Sequence, residues 1–288
     1  DVMVTARELN VGQVKRIVEQ IEAQDIRGPK GALVRIEAFC HGALCMAISG
    51  KCYLSLDNYN SSANRGACLQ LCRRGYEVRD REEGIELAIE NEYIMSPKDL
   101  CTLPFLDKVL DAGVEVLKIE GRGRSPEYTK LTVQVYHEAV EAIQNGSFTQ
   151  EKVDGWMQRL RSVYNRDFWD GYYLGRKTGE WTKVYGSQAT QTKLYVGQIT
   201  NFYSKLSVAE IRMETHDLNV GDAIMIIGPT TGVYEDTLSE IRVDLKSVPQ
   251  TVKGEFCSIP VQSLVRRGDK VYKIIPSENA NPDSHAEL

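Results

Sequence analysis

Several features are missing from this sequence, and each absence closes a door. No apolar run approaches the roughly 20 residues that cross a bilayer, and the first residues lack the basic-then-apolar layout of a signal peptide. The chain therefore reads as cytoplasmic, with no membrane partner. Positive charge is not in excess: 35 Lys and Arg against 40 Asp and Glu give a net charge of −5 and a pI near 5.6. Any contact with RNA must then be a local patch rather than a global field. Histidine is scarce, at four in 288 residues, and neither a His-x3-His zinc pair nor a Gly-x-Ser-x-Gly nucleophile elbow occurs. With 42% hydrophobic and 26% charged residues, what remains is the profile of one large or two ordinary globular domains.

Seven cysteines, an odd number without a secretory signal, argue against a disulfide framework. Cys40, Cys45, Cys52, Cys68 and Cys72 crowd into one stretch, Cys101 follows, and Cys257 is remote. The central spacing is Cys45-x6-Cys52-x15-Cys68-x3-Cys72, and Gly42, Ser49, Gly50, Asn58, Asn60, Asn64 and Gly66 supply turns that let a loop aim several thiolates at one point. Four soft thiolates suit either zinc or an iron–sulfur cluster. Structural zinc usually takes two close Cys pairs, and only Cys68 and Cys72 qualify, so the spacing points to an iron–sulfur cluster, with zinc or unmetallated cysteines as alternatives. Cys45, Cys52, Cys68 and Cys72 are the preferred ligands; the same set with Cys101 as the fourth competes. Cys257 and Cys40 read as small buried hydrophobes.

Around this loop the local charge reverses. Residues 40–75 carry Lys51, Arg65, Arg73 and Arg74 against Asp57 alone, a patch that suits either neutralisation of a thiolate-bound cluster or the holding of phosphates. The seven acids from Glu77 to Glu92 read as a solvated face.

Along the chain, residues 2–5 read as a buried strand running directly into an amphipathic helix over 9–23, with Gly28-Pro29 ending the unit. A domain rarely begins on such a strand, so upstream elements are expected. A second strand is predicted over 32–36, with Glu37 and His41 just beyond it. A third covers 92–95, followed by a helix that Ser96-Pro97 opens and Gly113 closes. Residues 114–119 form the next strand, and Pro126 opens a long helix ending at Asn145-Gly146. Strand then helix, repeated, is the grammar of a parallel sheet. The predicted fold class is α/β: the C-terminal part of a TIM-like (β/α) barrel, its N-terminal strands missing, over 1–147, with a Cys-rich insertion at 40–75. A doubly wound sheet is the alternative. A helical and aromatic connector is expected over 148–182, a small all-β, barrel-like domain over 183–275 with turns at Gly221-Asp222, Gly228-Pro229 and Gly268-Asp269, and a disordered tail over 276–288.

Strand ends are where parallel-barrel enzymes place their chemistry, which nominates Glu37 and His41 after one strand and Lys118 and Glu120 on another as catalytic candidates. Lys118 and Glu120, two apart on a strand, share a face and read equally as a salt-bridged rim pair. Arg122 and Arg124, in a Gly-Arg-Gly-Arg loop before a helix, join Arg73 and Arg74 as candidates for binding phosphate or carboxylate. His41 is the sole candidate base for a hydrolase; His137 falls mid-helix and His216 and His285 lie in the β domain and tail. Phe168, Trp169, Tyr172 and Tyr173 read either as a base-stacking surface or as a hydrophobic hinge between domains.

The run Glu37-Ala38-Phe39-Cys40-His41-Gly42-Ala43-Leu44-Cys45-Met46-Ala47-Ile48-Ser49-Gly50-Lys51-Cys52-Tyr53-Leu54-Ser55 resembles the signature of the collagenase-like peptidase family of unassigned catalytic type, peptidase family U32. Asn64-Arg65-Gly66-x-Cys68-x3-Cys72-Arg73, Ser96-Pro97-Lys98-Asp99-Leu100-Cys101, Leu117-Lys118-Ile119-Glu120-Gly121-Arg122 and Asn165-Arg166-x-Phe168 extend it over most of residues 1–175. The β domain is similar to the family's C-terminal module. The resemblance implies a preceding (β/α) barrel. It also implies relatives that act in hydroxylation: of tRNA uridine, of ribosomal-RNA cytidine, and in anaerobic ubiquinone synthesis. From the last of these it carries over a [4Fe-4S] cluster to Cys45, Cys52 and Cys68 with Cys72 or Cys101. From the family it also implies prephenate as a co-substrate and, for some members, a homologous partner subunit. The favoured expectation is an iron–sulfur enzyme hydroxylating an RNA base, with tRNA uridine foremost. A metal-dependent collagenase-like peptidase using His41 and Glu37, and a non-catalytic scaffold with a structural cluster, are the competing readings.

Overall fold

A computed structural model describes residues 1–77, 93–184 and 186–277. The acidic face expected up to Glu92, beyond Glu77, and the tail expected to be disordered, beyond Ser277, lie outside the described residues. Residues 1–124 with 131–188 form one compact unit, and residues 125–130 with those from 189 onward form another.

The first unit begins with β1 (Val2–Val4), an edge strand whose three side chains are 40–46% exposed rather than buried as expected. Among the described residues it pairs in parallel with the next strand alone, which leaves its other edge unpaired. Helix α1 (Val11–Ala23) starts on a capping box in which Asn10 and Gln13 exchange hydrogen bonds of 2.9 Å, satisfying two backbone donors that a helix start otherwise leaves unpaired. Its apolar stripe buries Val14 and Ile21. Strand β2 (Arg35–Ala43) is longer than expected and contains Glu37 and His41 instead of preceding them. A β-bulge makes this possible: Phe39 pairs with Lys118 and His41 with the very next residue, Ile119, so Cys40 is the extra residue and both Cys40 and His41 turn into the interior. The Cys-rich loop follows with the short helix α2 (Leu54–Tyr59) and two 3-10 turns.

The next strand, β3 (Asp99–Cys101), falls where a helix was expected and runs antiparallel to β2; α3 (Leu106–Asp111) follows after a further turn. A charged residue in a fully buried strand is tolerable because Asp99 is neutralised by arginines distant in sequence. Strand β4 (Val114–Glu120) pairs in parallel with β2, and α4 (Pro126–Gln144) and α5 (Gln150–Ser162) pack through Val135, Ala139, Val153 and Leu160. Strand β5 (Phe168–Trp169) completes the sheet, ordered β1-β2-β3-β5 with β4 on the other edge of β2. This is a mixed sheet flanked by helices, and no closed barrel forms among the described residues. Trp169 and Tyr173 belong to this unit's core, with Trp169 donating to the carbonyl of Lys98 at 3.1 Å and Tyr173 to that of Phe39 at 2.7 Å, so neither forms a base-stacking surface.

The second unit is one antiparallel sheet. Its strands are β6 (Gln191–Tyr203), β7 (Val208–Met213), β8 (Ala223–Gly228), β9 (Gly232–Thr237), β10 (Arg242–Val243), β11 (Lys246–Ser247), β12 (Phe256–Pro260) and β13 (Lys270–Pro276). They are ordered β11-β10-β12-β7-β6-β13-β8-β9, and β11 and β9 do not pair to close a barrel. Alternate side chains of β6, β7, β12 and β13 build its core, with Val196, Ile211, Ile259 and Val271 at most 0% exposed. Cys257 is buried there as the small hydrophobe expected. No helix of the described residues is long and apolar enough to cross a membrane.

Candidate functional site

Strands β1, β2 and β4 point the same way, and their carboxyl ends are where the chain reaches Arg7, Leu44 and Glu120. In open α/β sheets ligands gather at that end. Here the Cys-rich loop folds over it and encloses a cavity of about 280 Å³. Cys45, Cys52, Cys68 and Cys72 all line this cavity, together with Arg7, Arg73, Glu120 and Arg122. Cys45 and Cys68 are exposed and Cys52 and Cys72 are half-buried.

Local chemistry shapes the loop. Glu8 accepts from the Ser49 N–H at 2.7 Å and the Ser49 hydroxyl at 3.1 Å, tying the loop to the end of β1. Ser55 accepts from the Leu69 N–H at 3.0 Å, which draws the Cys68 segment back beside α2. Gly66 sits at φ 89°, in the left-handed region that a side chain resists, and its carbonyl accepts from Arg122 at 3.3 Å. Arg73 then acts as a clamp, donating to the Leu44 carbonyl at 2.7 Å, the Ser96 hydroxyl at 3.1 Å and the Pro97 carbonyl.

The Cys72 thiol is pushed up by burial; the Arg73 guanidinium pulls it back down, and the charges of Cys45, Cys68 and Cys52 add to the rise. The four sulfurs are thus electrostatic neighbours. Among the described residues, no group of three or more His, Cys, Asp or Glu side chains stands close enough to hold a metal ion as the loop lies. The donor set nevertheless suits a soft metal group: four thiols line one cavity together with basic side chains.

Cys101 is elsewhere. It is buried in the core, its sulfur 3.8 Å from the Tyr136 hydroxyl and 3.7 Å from the Met157 sulfur, and burial lifts its thiol to about 11. Cys40 is fully buried near it, with its sulfur 3.4 Å from the Lys118 carbonyl and its thiol raised by burial.

The remaining candidates separate into two places. Glu37 and Lys118 form an ion pair with each other, and the Lys118 ammonium lies 5.3 Å from the Phe39 ring. Arg7 covers the same ring at 4.1 Å and reaches Glu120 at 3.8 Å, while Glu120 also accepts from the Arg122 N–H at 3.0 Å. Lys118 and Glu120 therefore engage different partners rather than one another. His41 is buried, with its Nδ1 3.4 Å from the Tyr136 hydroxyl and its ring against Tyr136 and Phe168. Burial, helped by the charge of Arg124, lowers its pKa to about 3, so it is neutral at physiological pH. Arg124 pairs with Asp99 at 2.9 Å and Arg74 donates to the Tyr59 hydroxyl at 3.2 Å. His137 and His216 are exposed on the surface.

Sequence reasoning assigned no role to Arg7, Glu8, Asp99 or Arg166. Asp99 and Arg166 each fell within a quoted motif, but their meeting at 3.5 Å depends on a 67-residue separation that no local pattern reveals.

The model of peptidase family U32 matches residues 2–183. The chain belongs to peptidase family U32. This U32 chain is 56% identical over 273 residues to a Porphyromonas gingivalis protein named collagenase, covering 95% of the chain and 66% of that protein. It is 28% identical over 248 residues to tRNA hydroxylation protein P1 of Bacillus subtilis, covering 84% of the chain and 55% of the relative. It is 38% identical over 141 residues to a 23S rRNA 5-hydroxycytidine synthase of Escherichia coli, covering 49% of the chain and 20% of the relative. The chain thus spans just under two thirds of the collagenase and less of the other two.

Proposed function

We propose that this U32 chain holds a [4Fe-4S] cluster on Cys45, Cys52, Cys68 and Cys72 and that its whole protein takes part in hydroxylating an RNA pyrimidine, with tRNA uridine foremost. The observation that supports the reading is that all four cysteines line one cavity with Arg7, Arg73 and Arg122 at the strand ends. Two relatives named for RNA hydroxylation add to it. Replacing C–H with C–OH is a two-electron oxidation that needs an oxygen donor and a two-electron acceptor, both of which a co-substrate of the whole protein must supply; a thiolate-held cluster, when bound, would relay the electrons one at a time. The chain's own residues do the rest. Arg7, Arg73 and Arg122 offset thiolate charge, and the Glu37–Lys118 pair places a proton-carrying ammonium on the face of Phe39. Prephenate as co-substrate is the part of the proposal that the family resemblance adds.

The test is nucleoside analysis of RNA from a strain lacking the gene, complemented with the whole protein. Wild type restores a hydroxylated pyrimidine and Cys72→Ser does not; a nucleoside profile that deletion leaves unchanged refutes the proposal.

The relative named collagenase, at 56% identity, favours a second reading as a metal-dependent peptidase. It predicts chelator-sensitive cleavage of gelatin that His41→Ala or Glu37→Gln abolishes. Against it stand the burial of His41, which keeps its ring from a substrate and lowers its basicity, and the engagement of Glu37 by Lys118.

A further inference from the structure

A second cavity, of about 430 Å³, shares a wall with the thiol cavity: Gln70 and Arg73 line both. Its other walls include Arg74, Ser96, Tyr164 and Arg166. The volume falls in the range of small-molecule sites.

Charge is what marks it. The hydrogen-bond acceptors of Arg73 are neutral: the carbonyls of Leu44 and Pro97 and the hydroxyl of Ser96. Arg166, with a side chain 11% exposed, reaches one oxygen of Asp99 at 3.5 Å, while Arg124 holds the other at 2.9 Å, so two guanidiniums share one carboxylate. Among the described residues, Arg73 and Arg166 bring more positive charge to the cavity wall than Asp99 offsets, and Arg74, which also donates to the Tyr59 hydroxyl, stands at its exposed rim. The Tyr164 ring lies beside two guanidiniums, Arg124 at 4.0 Å and Arg166 at 5.2 Å from its centre. Holding cations this close in a half-dry pocket is unfavourable without an anion.

We propose that this cavity binds a phosphate dianion, either free phosphate or the end of a small phosphomonoester, on Arg73, Arg74 and Arg166 with the Ser96 hydroxyl. Guanidiniums that line one cavity offer forked donors to the three oxygens on one phosphorus. A dianion also answers the surplus charge better than the single charge of an RNA phosphodiester. The site shares Gln70 and Arg73 with the thiol cavity, but none of the side chains proposed to hold the anion is a cysteine.

Isothermal titration of the full chain at constant ionic strength tests it with inorganic phosphate, uridine 5′-monophosphate and dimethyl phosphate. Phosphate or the monophosphate binds saturably at one site, and dimethyl phosphate, a monoanionic diester, binds at least about tenfold more weakly. Tighter binding of the monophosphate assigns a phosphomonoester; equal affinity assigns free phosphate. Arg166→Lys, which keeps the charge but loses the fork, weakens binding about tenfold. Arg74→Gln, at the exposed rim where folding is not at stake, weakens it several-fold. The proposal is overturned by no saturable binding up to roughly 10 mM, by equal affinity for dimethyl phosphate, or by affinity that neither variant changes. Iron content is read on the same samples, so phosphate binding without iron leaves this site standing while the cluster reading falls.

Discussion

Asp99 is the buried charge on which the first unit depends most, and Asp99→Asn tests that dependence. Its side chain is 1% exposed and lies 2.9 Å from the Arg124 guanidinium and 3.5 Å from that of Arg166, whose side chains are 6% and 11% exposed. At about 4 Å and an effective dielectric near 20, each such pair is worth about 4 kcal/mol before desolvation takes much of it back. Removing the carboxylate charge returns none of the desolvation of the arginines, and breaking a buried pair in this way costs about 3–5 kcal/mol. For a unit of this size that is a fall in Tm of about 6–20 °C. All three tryptophans, Trp156, Trp169 and Trp181, lie in the first unit, so tryptophan fluorescence follows its unfolding alone. Arg27→Ala, which removes a surface pair whose members are 50% and 66% exposed, is the control and leaves the transition within about 1 kcal/mol. A loss in Asp99→Asn no larger than in that control refutes the reasoning.

His41 provides a second test: its folded pKa, lowered to about 3 by burial and Arg124, lies below the unfolded value of 6.5, so its contribution is complete above 6.5. Between pH 6.5 and about 3 it is lost at about 1.4 kcal/mol per pH unit, and His41→Gln removes this part of the acid sensitivity; a His41 imidazole, assigned by its loss in that variant, titrating near 6.5 by NMR contradicts it. Alkylation of the metal-free native protein near pH 8, followed by mass spectrometry, labels the exposed Cys45 and Cys68 first, and Cys40, Cys101 and Cys257 only after unfolding. Early labelling of Cys101 contradicts its place in the core. Asn10→Ala, which breaks the capping box of α1, lowers stability by about 1 kcal/mol in denaturant titration, and no change argues that the cap is idle.

How much the sequence disclosed follows from how local each signal is. Helices α1, α4 and α5 announce themselves through their own stripes and caps, and β6, β8 and β13 through alternation and flanking turns. Strand β2 was read short because Glu37 and His41 look like a strand's end. They are instead kept in the sheet by Lys118 and Tyr136, both distant in sequence, and by a bulge at Cys40 that shows only in the pairing with β4. Strand β3 was hidden for the same reason, since Asp99 becomes compatible with burial only through Arg124 and Arg166. The spacing grouped Cys45, Cys52, Cys68 and Cys72, and these four share a cavity. Local pattern left Cys101 as their rival because it cannot say which side of β3 faces the loop; the fold turns that sulfur toward Tyr136 and Met157.

The central claim is that the four loop thiols hold a cluster, and metal analysis of anaerobically purified whole protein tests it most directly. Iron, sulfide and zinc are measured with an absorption spectrum for wild type, Cys72→Ser and Cys101→Ser. The account predicts about four irons and four sulfides with broad absorption near ~400 nm, lost in Cys72→Ser and retained in Cys101→Ser. One zinc without sulfide, or a cluster that Cys101→Ser abolishes and Cys72→Ser leaves intact, contradicts it.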